Sequence, residues 1–441
     1  MQGISAAMIV RNEAARLRSC LASLAGVVDE VVVADTGSSD GTRAVADAAG
    51  ARRIDFLWCD DFAAARNAAL QHVTNPWVLV IDADEQVRDG ARAGDALRRF
   101  VMDHDGATMG TVAIVSPTEP GPGAPVVTDH TLRFFHRDSV RYEGCIHEQP
   151  VHVSGQARSA PTGIVLDHSG YALPASEARE KAKRNLVLLR KVLSAHPDDE
   201  YFLFQLGKTQ QMLGLRTSAL TAFRKGLASI HFAKDKSPMG RMGPVGRSVL
   251  TGLVVNLAYA LVNAKRLPEA VRLVEEHAAL AHEGTQCADF DHARGYVHLM
   301  QGDLVRSRAA YEASMRRGAA EEDVEGTGTY ASAYHLGLLD EADHDVSAAL
   351  NHYLLSLSFK PDYEKALARC VDLVAENGIA LPKELVVASA PMALEAAFRQ
   401  RLDHYLREGN MGAVTRLAHG VAAVPALQEI CRGALRAYDK T

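Results

Sequence analysis

The chain has 441 residues, 47% apolar and 23% charged, with a formal net charge of -6. That length calls for two domains with separate cores, and the composition is that of a globular protein rather than a disordered or fibrous one. The acidic balance argues against nonspecific nucleic-acid binding, although a local basic groove stays compatible with it.

Six cysteines (Cys20, Cys59, Cys145, Cys287, Cys370, Cys431) show no C-x-x-C spacing. They suit free thiols in a reducing cytoplasm better than zinc ligation or a disulfide framework. Met1 to Met8 lack a basic n-region, and the apolar run stops at Arg11-Asn12-Glu13. No signal peptide and no membrane span are therefore expected, and the expected location is cytoplasmic.

In chain order, Ile4 to Val10 reads as a strand and Asn12 to Leu24 as a helix, with Leu17, Leu21 and Leu24 at helical spacing. Val31 to Ala34 is a second buried strand, ended by the small-residue turn Asp35 to Thr42 that opens a helix from Arg43 to Ala49. Strand, turn and helix make half of a nucleotide-binding unit, with ligands expected at the carboxyl ends of parallel strands. The turn is neither a Walker loop nor a G-x-G-x-x-G. Asp35 either accepts a hydrogen bond from a base N–H or, with Ser38, caps the next helix.

Arg53 to Trp58 reads as a third strand, and Asp61 as the N-cap of an Ala-rich helix. Arg66, near the middle of that helix, either reaches base or diphosphate oxygens or forms a surface salt bridge to Asp60. Val78 to Ile81 is a strand covered on both faces, running into Asp82-Ala83-Asp84-Glu85. With the backbone extended past Ile81, Asp82 and Asp84 would leave one face together and converge on a divalent cation that neutralises a diphosphate. The alternative is an acidic strand end in water. Ser116 to Pro125, rich in Pro and Gly, reads as a mobile loop beside the site, Thr131 to Arg137 as a strand, and Tyr142 to Gln149 as a turn and short strand. Arg133 either steadies a diphosphate or pairs with Asp129.

Met8 to Glu13, Val28 to Thr42, Asp60-Asp61-Phe62 with Ala65-Arg66-Asn67, and Asp82 to Glu85 resemble, in order and spacing, the family 2 glycosyltransferases of the GT-A fold. Further matches run to Tyr171. The resemblance implies an α/β GT-A domain, Rossmann-like with a mostly parallel sheet, and a nucleotide-sugar donor, UDP-linked, beside Val10, Asn12, Glu13 and Ala83. It implies that Asp35 recognises the base, that Arg66 and Arg133 lie near the nucleotide, and that Asp82 meets the ribose or sugar. Asp84 is then the ligand of Mg2+ or Mn2+. An inverting transfer also needs a carboxylate to take the acceptor proton. Glu148, in Ile146-His147-Glu148, resembles the residue that does so, with Glu143 second. His168 resembles a late histidine that completes the metal sphere, with His147 as the alternative.

From Ala175 the texture changes to an amphipathic helix, Ser176 to Leu193, expected to link the domains. Beyond Pro197, Leu206-Gly207 is followed by Ala219 and Phe223, and Leu336-Gly337 by Ala349 and Tyr353. Weaker copies pair Ala258 with Ala270 and Gly295 with Tyr311. These offsets resemble tetratricopeptide repeats at irregular spacing, with an insert from Lys234 to Arg247 and final helices Met392 to Leu406 and Met411 to Val421. The expected organisation is a catalytic domain over 1–174, a linking helix over 175–197 and an all-α repeat domain over 198–441. A solenoid's default role is to hold another chain, so a peptide acceptor or a homodimer through the repeats is expected. Family 2 units fused to such repeats also resemble enzymes that glycosylate small bacteriocin peptides. The other readings are a saccharide or lipid-linked acceptor, and a scaffold without turnover.

Overall fold

The computed structural model describes residues 2–117, 126–155, 158–168, 175–234, 244–280, 287–322 and 324–438. The chain forms two compact units, one of residues 1–197 with 212–214 and one of residues 198–211 with 215–441.

The first unit is built on strands β1 (Ile4–Val10), β2 (Glu30–Asp35), β3 (Arg52–Asp55), β4 (Trp77–Val80), β5 (Glu85–Val87), β6 (Thr108–Pro117), β7 (Val126–His136), β8 (Val140–Glu143), β9 (Gln149–His152) and β10 (Arg158–His168). Helices α1 (Ala14–Ser23), α2 (Thr42–Ala48), α3 (Phe62–His72), α4 (Gly90–Asp103) and α5 (Ala175–Ala195) accompany them. Eight strands form one sheet in the order β3-β2-β1-β4-β7-β6-β10-β5, while β8 and β9 pair apart from it. The β3-β2-β1-β4 half is parallel. Beyond it, β7 runs antiparallel to β4 and β6, β10 parallel to β6, and β5 antiparallel to β10. This is the expected GT-A type of α/β sheet.

Both faces of the parallel half are covered, which is why its strands read as continuous apolar runs. Ala6 and Met8 of β1 and Trp77 and Leu79 of β4 pack with Leu17, Leu97 and Phe100 on one side. Ala7, Val78 and Val80 face Ala63, Ala69 and Leu70 of α3 on the other. Strand alternation thus sends successive side chains to opposite helix layers, each buried Val or Leu contributing about 1.5–3 kcal/mol. Asp61 caps α3 as expected, its carboxylate accepting from the Ala64 N–H at 2.9 Å.

The sequence reading needs correction at three places. β4 ends at Val80, and the chain does not stay extended: the Glu85 N–H donates to the Asp82 carbonyl at 3.0 Å, closing a turn. Ser116 and Pro117 complete β6, and the rest of the expected mobile loop, like Tyr171, lies outside the described residues. Of the expected insert, residues 235–243 lie outside the described residues, whereas Pro244 to Arg247 open a helix.

The second unit is helical: α6 (Glu200–Met212), α7 (Arg216–Lys234), α8 (Pro244–Asn263), α9 (Leu267–Leu280), α10 (Ala288–Gln301), α11 (Leu304–Arg317), α12 (Tyr330–Ala342), α13 (Val346–Phe359), α14 (Glu364–Asn377), α15 (Lys383–Ala388), α16 (Pro391–Arg407), α17 (Met411–Gly420) and α18 (Pro425–Tyr438). The repeat offsets have a steric cause. A Cβ on Gly207 would meet the Phe223 ring at 2.2 Å, one on Gly295 the Tyr311 ring at 2.9 Å, and one on Gly337 the Tyr353 ring at 2.5 Å. These three helix pairs therefore close by seating an aromatic ring against a bare backbone, the tetratricopeptide way of packing. The stack continues past Val421 into α18.

Candidate active site

At the carboxyl edge of the parallel strands lies a cleft of about 720 Å³, within the size range of small-molecule sites. Val10, Glu13, Arg66, Asp82, Ala83, Asp84, Arg133, His147, Glu148 and His168 all line it. Sheet order explains how residues so far apart in sequence meet there. The β4–β7 register sets Leu79 opposite Phe134, carrying Arg133 to the end of β4. The β5–β10 register sets Glu85 opposite His168, carrying the imidazole to Asp84.

Asp82 is held on both oxygens, by Arg66 Nη2 at 2.9 Å on Oδ1 and by Arg133 Nη2 at 3.1 Å on Oδ2. Burial alone would raise its pKa, but the two guanidiniums outweigh it and hold the carboxyl well below the usual carboxylate range. Arg133 also donates to Glu85 Oε1 at 3.3 Å, so its partners are Asp82 and Glu85 rather than Asp129. Glu85 is fully buried, its Oε2 accepting the Asp82 N–H at 2.8 Å. Burial, with Asp82 and Asp84 nearby, pushes Glu85 up to about 7 despite Arg133. Glu85 was legible only as a third acid in the motif; its place as internal brace of the turn depends on β5 docking against β10.

Arg66 is buried rather than bound at the surface to Asp60. Its Nε donates to Glu148 Oε1 at 2.6 Å and its guanidinium lies 5.5 Å from the Tyr142 ring centre. Its Nη1 is buried with no hydrogen-bond partner among the described residues. Asn67, next in sequence, fixes the ribbon that carries this wall: it donates to the Tyr142 carbonyl at 2.9 Å and accepts the Tyr142 N–H at 2.8 Å. Glu143, by contrast, is exposed, pairs with Arg141 at 2.6 Å and does not line the cleft.

Asp84 and His168 face each other, with Oδ2 and Nε2 3.3 Å apart. His168 Nδ1 meets Ser116 Oγ at 3.0 Å, an outer contact of the kind that orients a ligating imidazole. Burial disfavours the imidazolium, yet the Asp84 carboxylate raises the His168 pKa. A carboxylate oxygen and an imidazole nitrogen facing each other at this separation are a donor pair that would suit one Mn2+ or Mg2+ ion. No set of three or more metal-capable side chains gathers among the described residues.

Asn12 and Asp35 stand behind the cleft rather than in its lining. Asn12, in the left-handed region at φ 56°, receives the Ser39 N–H at 2.8 Å and donates its own N–H to Ser38 Oγ at 2.9 Å. Asp35 accepts the Ser38 N–H at 2.9 Å and pairs with Arg43. Against burial, these bonds lower its pKa. Asn12 ties the loops after β1 and β2 together and Asp35 braces the second of them, shaping the edge against which Val10 and Glu13 are held.

The sequence reading expected α5 as a linking helix and missed its contribution to the cleft. Lys181, Arg184 and Asn185 line the cleft, with Arg184 5.3 Å from the Phe62 ring centre. The available signal was their spacing, which puts all three on the stripe that continues into buried Leu188.

Residues 5–151 match the family model described as Glycosyl transferase family 2. The first unit carries a glycosyl transferase family 2 domain. Over 237 residues the chain is 35% identical to a TPR repeat-containing protein of Synechococcus elongatus, covering 52% of this chain and 57% of that protein. Over 241 residues it is 26% identical to the SPbeta prophage-derived glycosyltransferase SunS of Bacillus subtilis, covering 51% of this chain and 53% of that protein. The chain spans about half the length of the curated relatives it matches. Among solved structures, glucosyl-3-phosphoglycerate synthase from Mycobacterium tuberculosis, in complex with Mn2+ and UDP-glucose, aligns at 23% identity over 26% of this chain and 44% of that one. Its TM-score of 0.23 is too low to bear on ligands here. The family 2 domain is followed by a tetratricopeptide-like array, and no described helix is long and apolar enough to cross a membrane.

Proposed function

We propose that this chain is an inverting glycosyltransferase that moves a sugar from a nucleotide-sugar donor, UDP-linked, to an acceptor side chain of a peptide. The observation that carries the reading is the division of labour after β4: Asp82 is bound by two arginines, whereas Asp84 meets a histidine across 3.3 Å. Asp84 and His168 would hold Mg2+ or Mn2+, which when bound neutralises the departing diphosphate.

The chain's own residues supply the rest. Glu148 Oε1 is fixed by Arg66, and its Oε2 carries no hydrogen bond among the described residues. That oxygen takes the acceptor proton as the nucleophile bonds to the anomeric carbon and the carbon–oxygen bond to the diphosphate breaks, its electron pair leaving with the diphosphate. Arg66 and Arg133 hold Asp82 ionised beside the sugar. Stacked helix pairs suit an extended polypeptide, which favours a peptide over a saccharide.

The test is a panel of nucleotide sugars with Mn2+ and with peptide and saccharide acceptors, read by nucleoside diphosphate release and acceptor mass shift. Release with UDP-sugars and a shifted peptide supports the proposal. A shift confined to saccharides overturns the acceptor, and no release from any donor overturns the enzyme reading.

A further inference from the structure

The cleft's charges do not balance internally. Its lining carboxylates are Glu13, Asp82, Asp84 and Glu148. Asp82 and Glu148 are taken by Arg66 and Arg133, Glu13 pairs with Arg16 at 3.0 Å, and Asp84 faces His168. Three further lining cations, Arg11, Lys181 and Arg184, form no ion pair among the described residues. In a chain of net charge -6 that is a local surplus of positive charge on one wall. Their proximity shows in their effects. Burial and then Arg11 lower the Arg184 pKa, while Lys181 and Arg16 oppose the burial that raises Glu13. Glu13 in turn feels Asp84, so this wall stands next to the Asp84–His168 pair. Arg184 is held in place over the Phe62 ring, and Lys181 lies one turn away on the same face of α5. Arg11 and Arg184 repel each other, a repulsion that a bound anion relieves.

We propose that Arg11, Lys181 and Arg184 form an anion subsite that receives the diphosphate of a nucleoside diphosphate, so that α5, outside the 5–151 family match, completes the donor site. This rests on reading the cleft as a nucleotide-sugar site. A diphosphate offers several acceptor oxygens, and three separate donors let it be gripped by charge-assisted hydrogen bonds without displacing any internal pair.

The test uses the full chain, free of metal in EDTA, and measures binding of UDP, uridine and inorganic pyrophosphate by calorimetry at low and high salt. The wild type should bind UDP at least about ten-fold more tightly than uridine and should also bind pyrophosphate. Lys181→Gln with Arg184→Gln should cost UDP and pyrophosphate affinity about ten-fold or more while leaving uridine unchanged and flattening the salt dependence. Lys181→Arg with Arg184→Lys should retain most of the affinity, separating charge from shape. Equal UDP affinity in the wild type and the double glutamine variant would overturn the subsite while leaving the transferase reading intact. Pyrophosphate binding without uridine or UDP binding would keep the anion site and overturn the UDP donor instead.

Discussion

Arg66 Nε lies 2.6 Å from Glu148 Oε1, while the same guanidinium reaches Asp82 Oδ1 at 2.9 Å. One buried cation thus joins the acid that follows β4 to the acid at the mouth of the β8–β9 ribbon. A planar fork can bridge two carboxylates where a single ammonium cannot. Arg66→Met should lower kcat about 100-fold or more and destabilise the first unit by roughly 3 kcal/mol, since it strands two half-buried acids. Arg66→Lys should recover stability better than rate. Steady-state diphosphate release beside urea unfolding checks both, and a fully active Arg66→Met would remove the bridge from the mechanism.

Glu148→Gln keeps an acceptor for Arg66 but cannot take a proton. The expected loss in kcat is roughly 100- to 10,000-fold with UDP affinity preserved. Glu143→Gln, exposed and outside the cleft, should stay within about two-fold of the wild type. If the two variants behaved alike, Glu148 would lose its assignment.

Metal dependence should follow Asp84 and His168. Asp84→Asn should abolish Mn2+-stimulated donor turnover in a folded protein, and His168→Ala should raise the Mn2+ concentration for half-activation by about ten-fold or more. EDTA should silence the wild type. A Mn2+ titration curve unchanged by either substitution would disprove this ligand pair.

Gly207→Ala places a methyl group 2.2 Å from the Phe223 ring and should cost about 1–3 kcal/mol by overpacking the α6–α7 pair. Gly433→Ala, within α18 and with no atom beyond its neighbours and its own helix backbone within 4 Å of the added carbon, should be neutral or stabilising. Thermal denaturation of the two variants side by side reads the contrast.

His292 of α10 is buried against His335 and bonded to Ser332 Oγ at 2.8 Å; burial, then His335, push its pKa down to about 3. The folded state keeps this imidazole neutral while the unfolded chain protonates it near its ordinary value of 6.5. Between those two values the unfolded state binds the extra proton, so stability falls as pH drops, by about 1.4 kcal/mol per pH unit, and is unaffected above the upper one. Amide exchange of α10 should therefore show roughly 2 kcal/mol less protection at pH 5 than at pH 7, a difference that His292→Phe should largely remove.

Much was readable without coordinates because it is encoded within short stretches of the chain. β1 spans Ile4–Val10 as its apolar run dictates, Asp61 caps α3, and the offsets from Gly207 to Phe223 and from Gly337 to Tyr353 mark helix pairs. Periodicity, capping chemistry and the clash of a ring with a Cβ are local rules, and a linear text carries them. Tertiary structure alone decided who meets whom across the sheet. The turn at Asp82 to Glu85 replaced the extended backbone that spacing suggested, because Glu85 caps it from a strand docked on β10. Arg66 chose Asp82 and Glu148 over Asp60, Arg133 chose Asp82 and Glu85 over Asp129, and α5 brought Lys181 and Arg184 to the cleft that Asp82 and Asp84 line. Charge pairing between distant residues depends on strand order and on which surfaces lose water, and neither quantity is written in any short stretch of sequence.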